Sequence, residues 1–225
     1  SAASLSGCQA LCSLPEVSGI FHLAGVLDDG LLVNMTPRRL HAAVAPKAGV
    51  LTLLELCQAQ RWRPRWLVAA SSTSSLLGYA GQSNYCAANG LLDHLATFGL
   101  PTSLRRGSWE GDSSYQPHVL TLNFGPWGEV GMAREGTKAH QLSLQSGELP
   151  MASSAAISCI AEALRQLRAG AGAAELGVSG APAAATNAAI SSPLGSTNLQ
   201  FAVADVEWWR SPWPSHPLLP GVMHR

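Results

Sequence analysis

The sequence predicts an α/β fold: a parallel sheet with flanking helices. Three observations carry this expectation. Short apolar runs at residues 17–24, 66–70 and 119–124 read as buried strands. The segments between them have helical apolar spacing and recognisable ends. Each strand-like run stops at small or polar residues, namely Gly25, Ser71-Ser72 and Gly125-Pro126. Strands alternating with helices imply βαβ units, and such units join parallel strands by right-handed crossovers.

In chain order, Val17-Ser-Gly-Ile-Phe-His-Leu-Ala is the first strand. Thr36 and Pro37 then open a helix, one as the N-cap and the other at the first helical position. Leu40, Val44, Val50, Leu53, Leu54 and Leu56 give that helix its apolar character, with a break expected near Pro46. The second strand, 66–70, ends at Ser71-Ser72. A helix over 84–98 follows, closed by Gly99. Residues 105–116, with Arg105, Arg106, Gly107 and Asp112, read as a surface insertion ahead of the third strand. A helix over 153–168 places Ile157, Ile160, Leu164 and Leu167 on one face, with Ser153 or Ser154 available to cap it. Residues 169–197 are rich in Ala, Gly, Ser and Pro and are expected to form a flexible loop. A last strand is expected at 199–206 and an irregular tail from Ser211. The chain therefore divides into a main portion at 1–168, a linker at 169–197, and a final strand with tail at 198–225.

Composition narrows the function. Lys+Arg and Asp+Glu both number 14 in 225 residues, and only 12% of residues are charged. That balance gives no electrostatic footprint for nucleic acid or an anionic membrane. No apolar run approaches the ~20 residues of a membrane span, and the N-terminus has no secretory pattern. It has no initiator Met, which points to an excised or incomplete chain. The five Cys are scattered and odd in number. They are expected to be reduced and mostly buried, in a reducing compartment such as the cytoplasm. Cys8 and Cys12 lack the second pair a zinc site needs, and the His residues form no metal pattern.

Ser72, Tyr85 and Asn89 stand out as candidate catalytic residues. Ser72 ends a strand, where open α/β sheets bind their ligands. Tyr85 falls in the first turn of the next helix, and Asn89, four residues on, shares its face. A lone Ser or Tyr in these places would be a turn residue or a core aromatic. The three together, within Tyr85-Cys-Ala-Ala-Asn89, favour a functional site over a structural role.

Several ordered motifs then resemble one family. They are Gly25-Val-Leu-Asp-Asp-Gly-Leu-Leu, Thr36-Pro37, Ala45-Pro-Lys47-Ala-Gly, Ser71-Ser72, Gly81-Gln-Ser-Asn-Tyr85-Cys-Ala-Ala-Asn89 and Asn123-Phe-Gly-Pro-Trp-Gly-Glu-Val-Gly-Met-Ala. They resemble the ketoreductase domains of polyketide synthases, members of the short-chain dehydrogenase/reductase superfamily. The resemblance runs from about residue 17 to 168 and resumes weakly at Phe201. It implies a Rossmann-like sheet, here incomplete at the N-terminus. It also implies NADPH-dependent reduction of a β-ketoacyl thioester, held on an acyl carrier protein, to a β-hydroxyacyl thioester in polyketide or fatty acid biosynthesis. Neighbouring domains of a multifunctional synthase would then be partners.

The resemblance also assigns roles. Ordinary members of the superfamily carry a Lys where Asn89 stands; the polyketide type supplies it from an earlier helix, where Lys47 stands. Ser72 would hydrogen-bond the carbonyl oxygen and Tyr85 would protonate it, with Lys47 lowering the phenol's pKa and Asn89 positioning Lys47 or a water. Ala24, Gly25 and Pro126 would border the cofactor. Asp28-Asp29 resembles the marker of a D-hydroxy product, although Asp is common in polar turns. The opposite subtype carries Trp where this chain has Leu77. Trp127 and Met132 would cover the nicotinamide and acyl chain, or simply pack. No G-x-G-x-x-G precedes His22, so the chain reads as the catalytic part of a longer domain. The competing expectation is a non-catalytic fragment that braces a synthase. A free-standing fatty-acid-type reductase is disfavoured by Asn89.

Overall fold

The structure, a computed structural model, describes residues 10–106, 115, 117–168, 186–191 and 199–206. Strand β1 (Gly19–His22) leads to helix α1 (Pro37–Ala59), then β2 (Trp66–Ser72) and the short α2 (Thr73–Leu77). Next come α3 (Ser83–Phe98), α4 (Thr102–Arg106), β3 (His118–Phe124), α5 (Lys138–Ser146), β4 (Glu148–Leu149) and α6 (Ser153–Arg168). Strands β5 (Thr186–Ser191) and β6 (Leu199–Val206) end the described chain. The sheet order is β1-β2-β3-β6, all parallel, with β4 and β5 antiparallel to β6.

The apolar runs of β2 and β3 have a simple cause: both strands are covered on both faces. Leu67, Ala69 and Val119 point to a cluster with Val50, Leu54, Leu92 and Leu95 from α1 and α3. Val68, Leu120 and Leu122 point the other way, to Ala156 and Ala163 of α6 and to Met151. Burying each of the larger side chains contributes roughly 1.5–3 kcal/mol.

The expected helix ends hold at two places. The Thr36 hydroxyl accepts from the Arg39 N–H and caps α1. Gly99, at φ 79°, ends α3 with its N–H on the Leu95 carbonyl. Five expectations need correction. Helix α1 runs through Pro46 without a break; the proline removes only the N–H that would reach the Ala42 carbonyl, and packing against α3 and the sheet holds the helix. Neither Ser153 nor Ser154 accepts at the start of α6; the Glu129 carboxylate accepts from the Ser153 N–H instead. Ile157 is exposed, while Ile160 and Leu164 pack against the sheet as expected, beside the buried Ala156 and Ala163. Residues 186–191 of the expected loop form β5. Finally, α1 is long and apolar enough to cross a membrane by composition; it packs as a core helix, with Ala43, Lys47, Val50 and Leu54 buried.

Most of the expected insertion at 105–116, the rest of the 169–197 segment and the tail lie outside the described residues. Tyr115, which is described, packs against the α1/α3 cluster and donates its hydroxyl to the Pro64 carbonyl. Cys57 is buried, Cys86 and Cys159 are half-buried, and Cys12 is exposed; all four are free thiols.

Candidate active site

The parallel register brings the C-terminal ends of β1, β2 and β3 to one edge of the sheet, where open α/β sheets bind ligands. Ser72 is the last residue of β2 and the N-cap of α2. Its Oγ accepts from the Ser74 N–H at 3.2 Å and from the Ser74 hydroxyl at 2.9 Å. With both acceptor positions used, the Ser72 proton is left to donate.

Tyr85 and Asn89 come from the first two turns of α3. Tyr85 is buried and Asn89 is fully so. The Asn89 Nδ2 donates to the Tyr85 carbonyl at 2.9 Å, while its Oδ1 has no partner among the described residues. The Tyr85 phenol is pushed above its ordinary value, chiefly by burial, while hydrogen bonding by the Asn89 and Ser72 side chains pulls it back. This corrects the expected lowering by Lys47. Desolvation of the phenolate outweighs the hydrogen bonds, and a Tyr that keeps its proton is in the form a general acid needs.

Lys47 projects from α1 and is 3% exposed. Its Nζ donates to the Ala70 carbonyl at 2.6 Å. Burial brings its pKa down to about 8, against the pull of Asp93. His22, at the end of β1, is buried beside it and held below its ordinary pKa by burial and then by the Lys47 charge. Gly25 lies against this lysine; a Cβ there would come within 3.3 Å of its Cε and 3.4 Å of its Nζ. Ala24 is exposed next to it.

The Asp28-Asp29 loop is clamped from two helices. The Arg39 guanidinium donates to the Asp28 carboxylate at 2.8 and 3.1 Å, and to the carbonyls of Asp28 and Asp29 at 3.3 and 2.6 Å. Asn84 bridges the loop to α3. Its Nδ2 donates to the Asp28 carbonyl, and its Oδ1 accepts from the Tyr85 N–H. Gln82 donates to the Asp29 carboxylate. Gly30 is required by this clamp, since a Cβ would sit 2.6 Å from an Arg39 nitrogen. The pair is thus more than a polar turn, because its geometry is tied to that of Tyr85.

The structure therefore brings Ser72, Tyr85, Asn89, Lys47, Gly25 and the Asp28-Asp29 loop to one edge. Trp127 packs edge-on to Phe124 at 5.4 Å and joins the α6-side cluster, which favours packing for its role. Pro126 is buried next to it, with its carbonyl accepting from the Met151 N–H, and Met132 is exposed. Residues missed from sequence include Arg39, His22, Asp93 and Asn123. Two carried a signal: Asp93 continues the four-residue spacing of Tyr85 and Asn89 along α3, and Asn123 is a polar residue in an apolar strand.

A Ser–Tyr pair at the C-terminal edge of a parallel sheet, with a buried Lys on the neighbouring helix, is the arrangement the short-chain dehydrogenase/reductase resemblance implies. Comparisons narrow this. Residues 2–110 match the KR domain family. Over 133 residues, or 57% of the chain, it is 40% identical to polyketide synthase GfsB of Streptomyces halstedii. It is 34% identical over 133 residues to 6-methylsalicylic acid synthase of Penicillium terrestre. These alignments span 2% and 7% of those proteins. An A1-type ketoreductase structure superposes with a TM-score of 0.63 at 26% identity, covering 93% of this chain and 36% of its own. A-type ketoreductases from a modular polyketide synthase give 0.62 at 27% identity, covering 92% and 35%. These matches support reading the chain as a polyketide synthase ketoreductase domain.

Proposed function

We propose that this chain reduces a β-ketoacyl thioester, carried by an acyl carrier protein, to the β-hydroxyacyl thioester, with NADPH as cofactor. The observation that carries this reading is the meeting of the Ser72 and Tyr85 hydroxyls. Both can donate, so a carbonyl oxygen set between them would receive a hydrogen bond from one and a proton from the other as negative charge builds.

The residues present fit the nicotinamide end of the cofactor. Lys47 is a buried ammonium with only one donor engaged by Ala70, and Gly25 keeps the neighbouring backbone close to it. Bound there, NADPH would supply the hydride. Tyr85 holds its proton at neutral pH and passes it to the oxygen. The unpartnered Asn89 Oδ1 offers an acceptor for a proton-carrying water. The clamped Asp28-Asp29 loop supports a D-hydroxy product. A purely bracing role gives no reason for these groups to converge.

In the full-length protein, Tyr85→Phe is expected to lower turnover by about 10²–10⁴-fold, the weight of a positioned general acid, with little change in substrate binding. NADPH oxidation with a β-ketoacyl thioester measures it. A variant as fast as wild type would remove Tyr85 from the mechanism.

A further inference from the structure

Around the Ser72 backbone lies a polar cluster that the mechanism above does not use. Asp93 of α3 is its centre. Its Oδ2 accepts from the Ser75 hydroxyl at 2.5 Å, and both its oxygens lie 3.0 Å from the Asn123 Nδ2. Asn123 has a second amide hydrogen, and its Nδ2 also lies 3.2 Å from the Ser72 carbonyl. The Ser71 hydroxyl, 3.2 Å from the same amide nitrogen, closes the cluster. An ionised carboxylate only accepts, and Ser75 has a single hydroxyl hydrogen, which it gives to Asp93. Asp93 therefore fixes which way the Asn123 amide presents its hydrogens, and through it the backbone that carries the Ser72 hydroxyl.

Asp93 also acts across the helix pair on Lys47. The titratable groups facing Lys47 are His22 from β1 and Asp93 from α3, while β2 contributes only the Ala70 carbonyl. Asp93 is thus the one acidic group among them, and it opposes the burial that would strip Lys47 of its proton.

We propose that Asp93 is a positioning residue for the reduction: it orients the Asn123 amide that holds the Ser72 backbone in place. The inference rests on the ketoreductase reading.

The test is the pH dependence of kcat and KM for β-ketoacyl thioester reduction by the full-length protein. It compares wild type, Asp93→Asn, Asp93→Glu and Asn123→Ala. Asp93→Asn keeps the shape, removes the charge and turns an amide donor toward Asn123. Its kcat is expected to fall by up to about 10²-fold, the cost of a small misplacement at a reacting centre. Its alkaline limb should move to lower pH, because Lys47 loses a group that favours its charged form. Asp93→Glu should return the limb toward its wild-type position. Asn123→Ala should lower kcat with KM and the limb unmoved, since only the mechanical link is cut. An Asp93→Asn profile with unchanged kcat would overturn the inference. If that variant does not fold, an unchanged kcat in Asn123→Ala would do the same. A wild-type protein that reduces no such thioester would instead sink the functional reading.

Discussion

Strands β1 and β2 run side by side, yet their C-terminal ends differ. β2 has a parallel neighbour on each side, and its end at Ser72 is gripped by Ser74 and Asn123. β1 pairs only with β2 among the described residues. Its Phe21 is 61% exposed, and the loop after it exposes Leu23, Leu31, Leu32 and Val33. The β2 end is fixed by packing and a buried network. The β1 loop is held by side chains reaching in from two helices: Arg39 on Asp28 and Asp29, Asn84 on the Asp28 carbonyl and Gln82 on the Asp29 carboxylate. Residues that must hold a reacting atom sit where the fold over-determines them. The loop assigned to facial selection is held by a few partly exposed polar contacts, of which Arg39 makes the most.

The contrast can be sharpened by substitution. The largest effect is expected on the β2/β3 side. Leu120→Ala leaves a cavity between strands that cannot collapse and should cost about 2–5 kcal/mol in urea unfolding. A loss below about 1 kcal/mol would mean this core is loosely packed. Arg39→Met comes next. It removes the clamp and leaves the half-exposed Asp28 carboxylate without its partner. The stability cost should be only about 1 kcal/mol, because the pair is open to solvent. Chiral chromatography of the reduced thioester should show a mainly D-hydroxy product for wild type and a mixture for the variant. An unchanged ratio would free the loop geometry from any role in selection.

Lys47→Met probes the junction between the two regions. Wild-type Lys47 binds its proton less well folded, at about 8, than unfolded, near its ordinary 10.5. Its charge therefore destabilises the fold in full below about pH 8, and that cost is relieved as pH rises toward 10.5. The stability advantage of the Met variant should be greatest near neutral pH and shrink over this window. Cys57, pushed up to about 11, and Tyr115, up to about 12, work in the opposite direction, since the unfolded chain loses those protons first. Both are present in wild type and variant, so they cancel in the difference between denaturant midpoints. A constant difference would mean Lys47 is not desolvated. The smallest effect is expected from Leu32→Ser, on a residue that is 74% exposed. It should change stability by less than about 0.5 kcal/mol, and a larger loss would mean that something covers this face.

Much of this molecule was written locally. Apolar runs set β2 and β3, Thr36-Pro37 started α1, Gly99 ended α3, and Tyr85 and Asn89 shared a helix face by spacing alone. Such features are legible because a cap, a turn or a period involves neighbours in sequence. Pro46 misled because tertiary packing outweighed one missing hydrogen bond. Ile157 misled because the face α6 turns to the sheet is centred on Ala156, Ile160 and Ala163, which leaves Ile157 at its margin.

Sequence alone thus determined the fold class, the strands β1, β2, β3 and β6 with the helices α1, α3 and α6, and the Ser72, Tyr85 and Asn89 group. It could not decide what Lys47, Asp93 and Arg39 do. Lys47 meets Ala70 and Gly25, Asp93 reaches Ser72 through Asn123, and Arg39 grips Asp28-Asp29, only once separate elements pack together. The direction of the Tyr85 shift belongs with these. Whether a phenol gains or loses acidity depends on the balance of burial against hydrogen bonding, and that balance exists only in the folded chain.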